Sequence, residues 1–123
     1  YLELAALVGL AGAEQHANDS QAAHGHATSA AERAGNGGFR HLQGVALTTL
    51  AELDGHRGAT AAAISNAGRA LRIHRVTGYR LGEARALSAL GWATQTRTRQ
   101  RYLAKAGAIL SELAAAGKPA PQT

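Results

Sequence analysis

The stretch Glu83-Ala84-Arg85-Ala86-Leu87-Ser88-Ala89-Leu90-Gly91 decides the fold, because the chain contains three versions of it. Forty positions earlier, residues 43–51 read Gln-Gly-Val-Ala-Leu-Thr-Thr-Leu-Ala; forty before that, residues 3–11 read Glu-Leu-Ala-Ala-Leu-Val-Gly-Leu-Ala. The shared string is Glu/Gln-x-x-Ala-Leu-x-x-Leu-Ala/Gly. Its apolar positions fall at i, i+3, i+4 and i+7, the stripe of a helix that buries one face. A fixed period of this length marks a repeat architecture, in which each unit buries its apolar face against its neighbours. Each copy therefore reads as the first helix of a helix pair.

Working outward, every copy is followed by a polar break and a second periodic segment that runs to a glycine. The breaks are Asn18-Asp19-Ser20, Asp54-Gly55-His56 and Thr96-Arg97-Thr98. Ser20 and Thr98 offer N-cap oxygens, while Gly35, Gly55, Gly78 and Gly117 offer helix stops. The pattern predicts six helices, over about 1–15, 20–34, 39–54, 58–76, 80–95 and 98–116. They group into repeats 1–35, 39–78 and 79–117 of one domain, 1–117, followed by a frayed tail over 118–123. Ile64, Ala67 and Leu71 would form the buried face of the second pair's outer helix, and Leu103, Ala106, Leu110 and Leu113 that of the third.

Composition agrees with an all-α class. Ala contributes 30 residues, whereas Leu, Ile, Val and Phe together contribute 22, so the core must rest on close backbone approach. Ala is the strongest helix former, and the two prolines both fall within the last five residues. Residues 11–38 contain no Leu, Ile, Val or Phe, leaving Ala22, Ala23, Ala27, Ala30, Ala31 and Ala34 as that helix's apolar face. It is expected to be the least stable helix. The absence of Cys excludes disulfides and thiolate zinc sites and fits a cytoplasmic setting. The start at Tyr1 suggests a piece of a longer protein, and no apolar run is long enough to span a bilayer.

Helix pairs with small residues at fixed points resemble tetratricopeptide repeats, with the usual period of about 34 stretched to 40. Residues 68–91 are similar to repeats in the C-terminal arrays of large bacterial transcription regulators, the antibiotic-regulatory activators and related large ATPase regulators. Gly82, Glu83, Ala84, Ala86, Leu87, Leu90 and Gly91 fit that pattern, which is strong over 68–117, fair over 39–67 and poor over 11–38. The resemblance implies an α-solenoid of three antiparallel helix pairs with an interaction or regulatory role. Its partner would be a protein, a peptide or the upstream domains of the same polypeptide.

In such an array the first helices line a concave surface. That points to Arg85, Ser88, Trp92 and Gln95 on the third of them, with Val45, Thr48, Thr49 and Glu52 at equivalent places on the second, as partner-binding residues. An Arg beside a Trp is a common binding anchor. An acidic peptide, or one bearing a C-terminal carboxylate, would set its charge on Arg85 and an apolar side chain against Trp92, with Glu52 rejecting wrong charges. The plainer reading of Trp92 is a filler between repeats. Charge suggests an alternative function, because residues 57–105 hold ten basic side chains and a single acid, Glu83. Arg69, Arg72 and Arg75 step along one helix and Arg97, Arg99 and Arg101 crowd a turn, so a nucleic acid or another polyanion is the alternative partner.

His16, His24 and His26 lack ligand spacing, so no metal or other cofactor is expected. Nucleophile-elbow, zincin and phosphate-loop motifs are missing, and eight scattered acids do not suggest paired carboxylates. A non-catalytic module without a membrane role is the expectation, with self-association through the apolar N-terminal repeat.

Overall fold

A computed structural model describes residues 1–94 and 96–117, so Gln95 and the tail over 118–123 lie outside the described residues. Among those described, the chain forms six helices and no strand. They are α1 (Leu2–His16), α2 (Ser20–Gly37), α3 (Arg40–His56), α4 (Thr60–Thr77), α5 (Arg80–Ala93) and α6 (Thr96–Ala116). Each helix packs on the next, and in addition α1 packs on α3 and α3 on α5. No described helix is long and apolar enough to cross a membrane.

The helix stops keep a stricter rhythm than the apolar stripe. Asn18, Gly38, Gly58 and Gly78 stand twenty residues apart, all with positive φ, between 61° and 78°. After each, the next N–H reaches back five residues: Asp19 to the Glu14 carbonyl, Phe39 to Ala34, Ala59 to Asp54 and Tyr79 to His74, at 2.8–3.0 Å. This is the left-handed closure of an α-helix, and glycine adopts it without a Cβ penalty. Gly35 and Gly55, expected as stops, lie inside α2 and α3; Gly38 and Gly58 take that role. Ser20 is the first residue of α2 and Asp19 is its cap, accepting from the Ala22 N–H at 3.4 Å. Thr98 lies within α6, which begins two residues earlier.

The α5–α6 joint departs from this rhythm. Thr94 is extended rather than left-handed. Arg99 closes the end of α5 instead, donating to the carbonyls of Gly91, Trp92 and Thr94 at 3.2–3.4 Å.

Leu47, Leu50, Leu87 and Leu90 are buried, as the repeated stripe predicts. Between them lie methyl groups: Ala23, Ala27, Ala30 and Ala34 of α2 and Ala63, Ala67 and Ala70 of α4 are fully buried. Small side chains let these helices approach closely, which compensates for the little apolar area each one contributes. Elsewhere the expected faces shift. Ala106 and Ile109 are the buried residues of α6, while Leu110 and Leu113 are exposed, and Ile64 of α4 is exposed beside buried Leu71. On α1 the buried residues are Leu4 and Ala11, and Ala6 and Leu10 lie open although their equivalents in α3 and α5 are covered. The reason is positional: α3 and α5 each have a preceding pair packed on them, and α1 has none.

Buried polar groups tie the helices together. Asp54 accepts from Asn66 at 2.9 Å and Arg57 at 3.0 Å and sits 3.2 Å from His24, joining α2, α3 and α4. Glu83 is held by Arg75 at 3.1 Å and Arg80 at 2.6 Å.

Candidate functional site

Three helices build the site. Along one side of the molecule α1, α3 and α5 lie next to one another, and their facing residues enclose an open hollow of about 740 Å³. Its wall on α1 is low because Gly9 and Gly12 have no side chains, and Val8 and Val45 supply apolar surface. A second hollow, of about 500 Å³, adjoins it through Glu52 and His56 and is lined on α5 by Ser88, Ala89 and Trp92.

Across the first hollow runs a polar line with one member from each helix. Gln15 of α1 donates to Glu52 Oε1 at 3.3 Å. Arg85 of α5 meets the same carboxylate from the other side through Nε, at 3.4 Å, and through its terminal Nη2. Both members are partly exposed, so the pair adds no more than about 1 kcal/mol to stability. Its effect is to fix the guanidinium and the carboxylate in place. Arg85 is therefore not a free cation awaiting an anion: Glu52 occupies it, and only Nη1 remains outside those bonds.

Trp92 corrects the plainer reading made from sequence. The residue is 66% exposed, so it fills no gap between helices. One face is approached by the Arg99 guanidinium, 5.3 Å from the ring centroid, in a cation–π arrangement. Trp92 also lines the smaller hollow.

Thr48 has to be removed from the site. It is 1% exposed and points inward, where its hydroxyl donates to the Gly44 carbonyl at 2.8 Å and meets His74 Nε2 at 2.9 Å. Since the hydroxyl proton is engaged by Gly44, the network assigns the His74 proton to Nε2. Nδ1 is then left as an acceptor without a partner. The imidazole is wedged between Gly44 and Gly82: a Cβ added at Gly82 would lie 2.5 Å from the ring, and one at Gly44 2.9 Å from it. Burial, with the nearby charges of His41 and Arg85, lowers the His74 pKa from 6.5 to about 4, so the ring is neutral at pH 7.

The site thus gathers Val45, Thr49, Glu52, Arg85, Ser88 and Trp92, with Thr49 forming floor rather than rim. Sequence reasoning missed Val8, Gly9, Gly12, Gln15 and His16 on α1. The forty-residue shift held the signal, for it places Gly9 on Thr49, Gly12 on Glu52 and His16 on His56.

The six arginines of the alternative site are differently engaged. Arg75 is bound to Glu83, and Arg99 caps α5. Arg69 and Arg72 are exposed on α4; Arg97 and Arg101 are exposed on α6 and, among the described residues, make no ion pair. Also among the described residues, no group of three or more His, Cys, Asp or Glu side chains is placed to hold a metal ion. Comparison with family models, curated proteins and solved structures finds no match.

Proposed function

We propose that this chain is a non-catalytic interaction module, a tetratricopeptide-like array of three helix pairs, which holds a peptide segment of a cytoplasmic partner or of a longer regulatory polypeptide. The observation that carries this reading is an exposed Trp92 at the rim of a hollow that continues, through Glu52, into a groove lined by α1, α3 and α5. An aromatic ring with a fixed polar pair beside it is the composition of a binding hot spot. The Glu52–Arg85 pair alters the chemistry expected of the ligand. With each charge already neutralised by the other, the pair offers one acceptor edge and one donor edge, which suits the N–H and C=O groups of an extended peptide better than an acidic side chain. Trp92 and Ala89 would then receive an apolar side chain. The resemblance of residues 68–91 to transcription-regulator arrays makes such a regulator the proposed context.

Panning a displayed peptide library against the full chain, then titrating the enriched peptides by calorimetry, tests the reading. Arg85→Ala and Trp92→Ala are each expected to weaken binding about tenfold or more, equivalent to ~1.4 kcal/mol. Both positions are exposed or half-exposed, so the melting temperature should stay close to that of the unaltered chain. Unchanged affinity in both variants overturns the groove. Retention of duplex DNA that falls steeply with salt, with no peptide enriched, would favour the polyanion alternative instead.

A further inference from the structure

Val45, Thr49, Glu52 and His56 step along one face of α3 and line the larger hollow, so the groove follows that face to the end of the helix. Two histidines stand there. His16 and His56 are the last residues of α1 and α3, forty positions apart, exposed, and lining the same hollow. His56 also lines the smaller hollow and a third one of about 370 Å³, which it shares with Ser20, Gln21, His24, Leu53 and Arg57.

The charges at this end of the groove are one-sided. Among the described residues, the charged or titratable side chains lining the three hollows are His16, His24, Glu52, His56, Arg57 and Arg85. Glu52 is the one acid, and Arg85 already bonds it. Beneath them, buried Asp54 is taken up by Arg57, Asn66 and His24. The carbonyl ends of α1 and α3 are offset by the amide ends of α2 and α4, which begin four residues later. An anion therefore meets imidazoles here and no unengaged carboxylate. Spacing says where that anion belongs in a ligand. From Glu52 to His56 the helix advances about 6 Å. An extended peptide covers that distance in about two residues, and side chains two apart point the same way. Trp92 stands at the repeat position of Glu52, forty residues on, so an apolar side chain against it and an acidic one at the histidines would be two positions apart.

We propose that the segment bound in the groove carries an acidic side chain, Asp or Glu, two positions from its apolar anchor, and that His16 and His56 receive this carboxylate when protonated. The inference rests on the groove being a peptide site and adds the ligand's charge and a dependence on pH. Histidine changes its charge between about pH 5 and 8. A carboxylate beside an imidazole favours the protonated form, so bound peptide and bound proton support each other, and affinity falls as pH rises through that range.

Panning a displayed library of random peptides against the full chain at about pH 6, where histidine takes up a proton, provides the test. The enriched peptides are expected to share an acid two positions from an apolar residue. Changing that Asp to Asn, or Glu to Gln, should weaken binding about tenfold at about pH 6 and about twofold or less at about pH 8, as measured by calorimetry. His16→Gln combined with His56→Gln should remove both the preference for an acid and the pH dependence; circular dichroism checks that these exposed substitutions leave the helices intact. His56→Lys in a His16→Gln background stays charged over the whole range, so it should keep the preference and flatten the pH profile. Peptides that bind and depend on Arg85 but show no preference for an acid, or no change between the two pH values, overturn the inference and leave the groove standing. An acid preference that survives in the double glutamine variant also overturns it, because the carboxylate then sits on another base. Failure to enrich any peptide overturns the inference and the groove together.

Discussion

His74 shows how much one side chain can decide in a core made of methyl groups. Its ring has a single hydrogen-bond partner in Thr48 and sits where two glycines of neighbouring helices leave room for it. Because its folded-state pKa of about 4 lies below the unfolded value of 6.5, the unfolded chain takes up the proton first as pH falls. The contribution is complete above about pH 6.5 and is lost between there and about pH 4, at most about 3 kcal/mol. Urea unfolding at pH 7 and pH 4.5 should show this loss, and His74→Gln should flatten the difference; an unchanged slope in that variant assigns the acid sensitivity to other groups. Gly82→Ala brings a methyl against the ring and should cost about 1–3 kcal/mol, as overpacking does. None of this was legible beforehand. Thr48 is a polar residue at a position a helical wheel gives to solvent, and His74, although it continues the Ala67–Leu71 stripe, is a polar residue whose partner only the joint between α3, α4 and α5 supplies. Arg85 and Trp92 were legible as neighbours on one face, but the Glu52 bond that occupies Arg85 depends on how far apart α3 and α5 stand, which a repeat period does not encode.

At the level of single helices, α1 and α2 form the weak half. Five of the six alanines expected to be α2's apolar face are buried, and Ala22 is half-buried, yet it offers no larger side chain to either neighbour. α1 in turn leaves one face open. α2 is held to α3 by methyl groups and by His24 on Asp54, and α1 by α2 and one side of α3, so the pair should open together before α3 does. Amide exchange is expected to show one shared opening free energy for α1 and α2, below that of α3 and α5; separate values would mean that each helix is held on its own. The existence and order of all six helices could be read from the stripe and its forty-residue period. Their stops were less readable, because the sequence offers several glycines near each end, and the one that closes a helix is set by where the chain must reverse. The stripe also placed Leu10, Leu110 and Leu113 in the core, since periodicity reports which face is apolar and not whether a neighbour is there to cover it.

Among the described residues, each helix packs on the next, with α1 on α3 and α3 on α5 in addition. Four joints share one backbone closure at twenty-residue intervals, and the fifth relies on Arg99. Removing that side chain takes a donor from three carbonyls at once and leaves the one on Gly91 to Thr94. Arg99→Ala should therefore destabilise α6 selectively by about 1–3 kcal/mol, the range for hydrogen bonds to a charged group. Faster exchange confined to α6, with α3 unaffected, is the expected pattern; a uniform change along the chain would show that the joint is held by packing alone. The same guanidinium also lies against Trp92, and this gives the joint a second property. On the proposed function, a peptide covering the Arg99 side of the ring would compete with the guanidinium, and Arg99 would then act as a latch between the groove and the terminal helix. Loading the groove would loosen the latch, and, by thermodynamic reciprocity, anything that clamps α6 would be felt as a change in the groove's affinity.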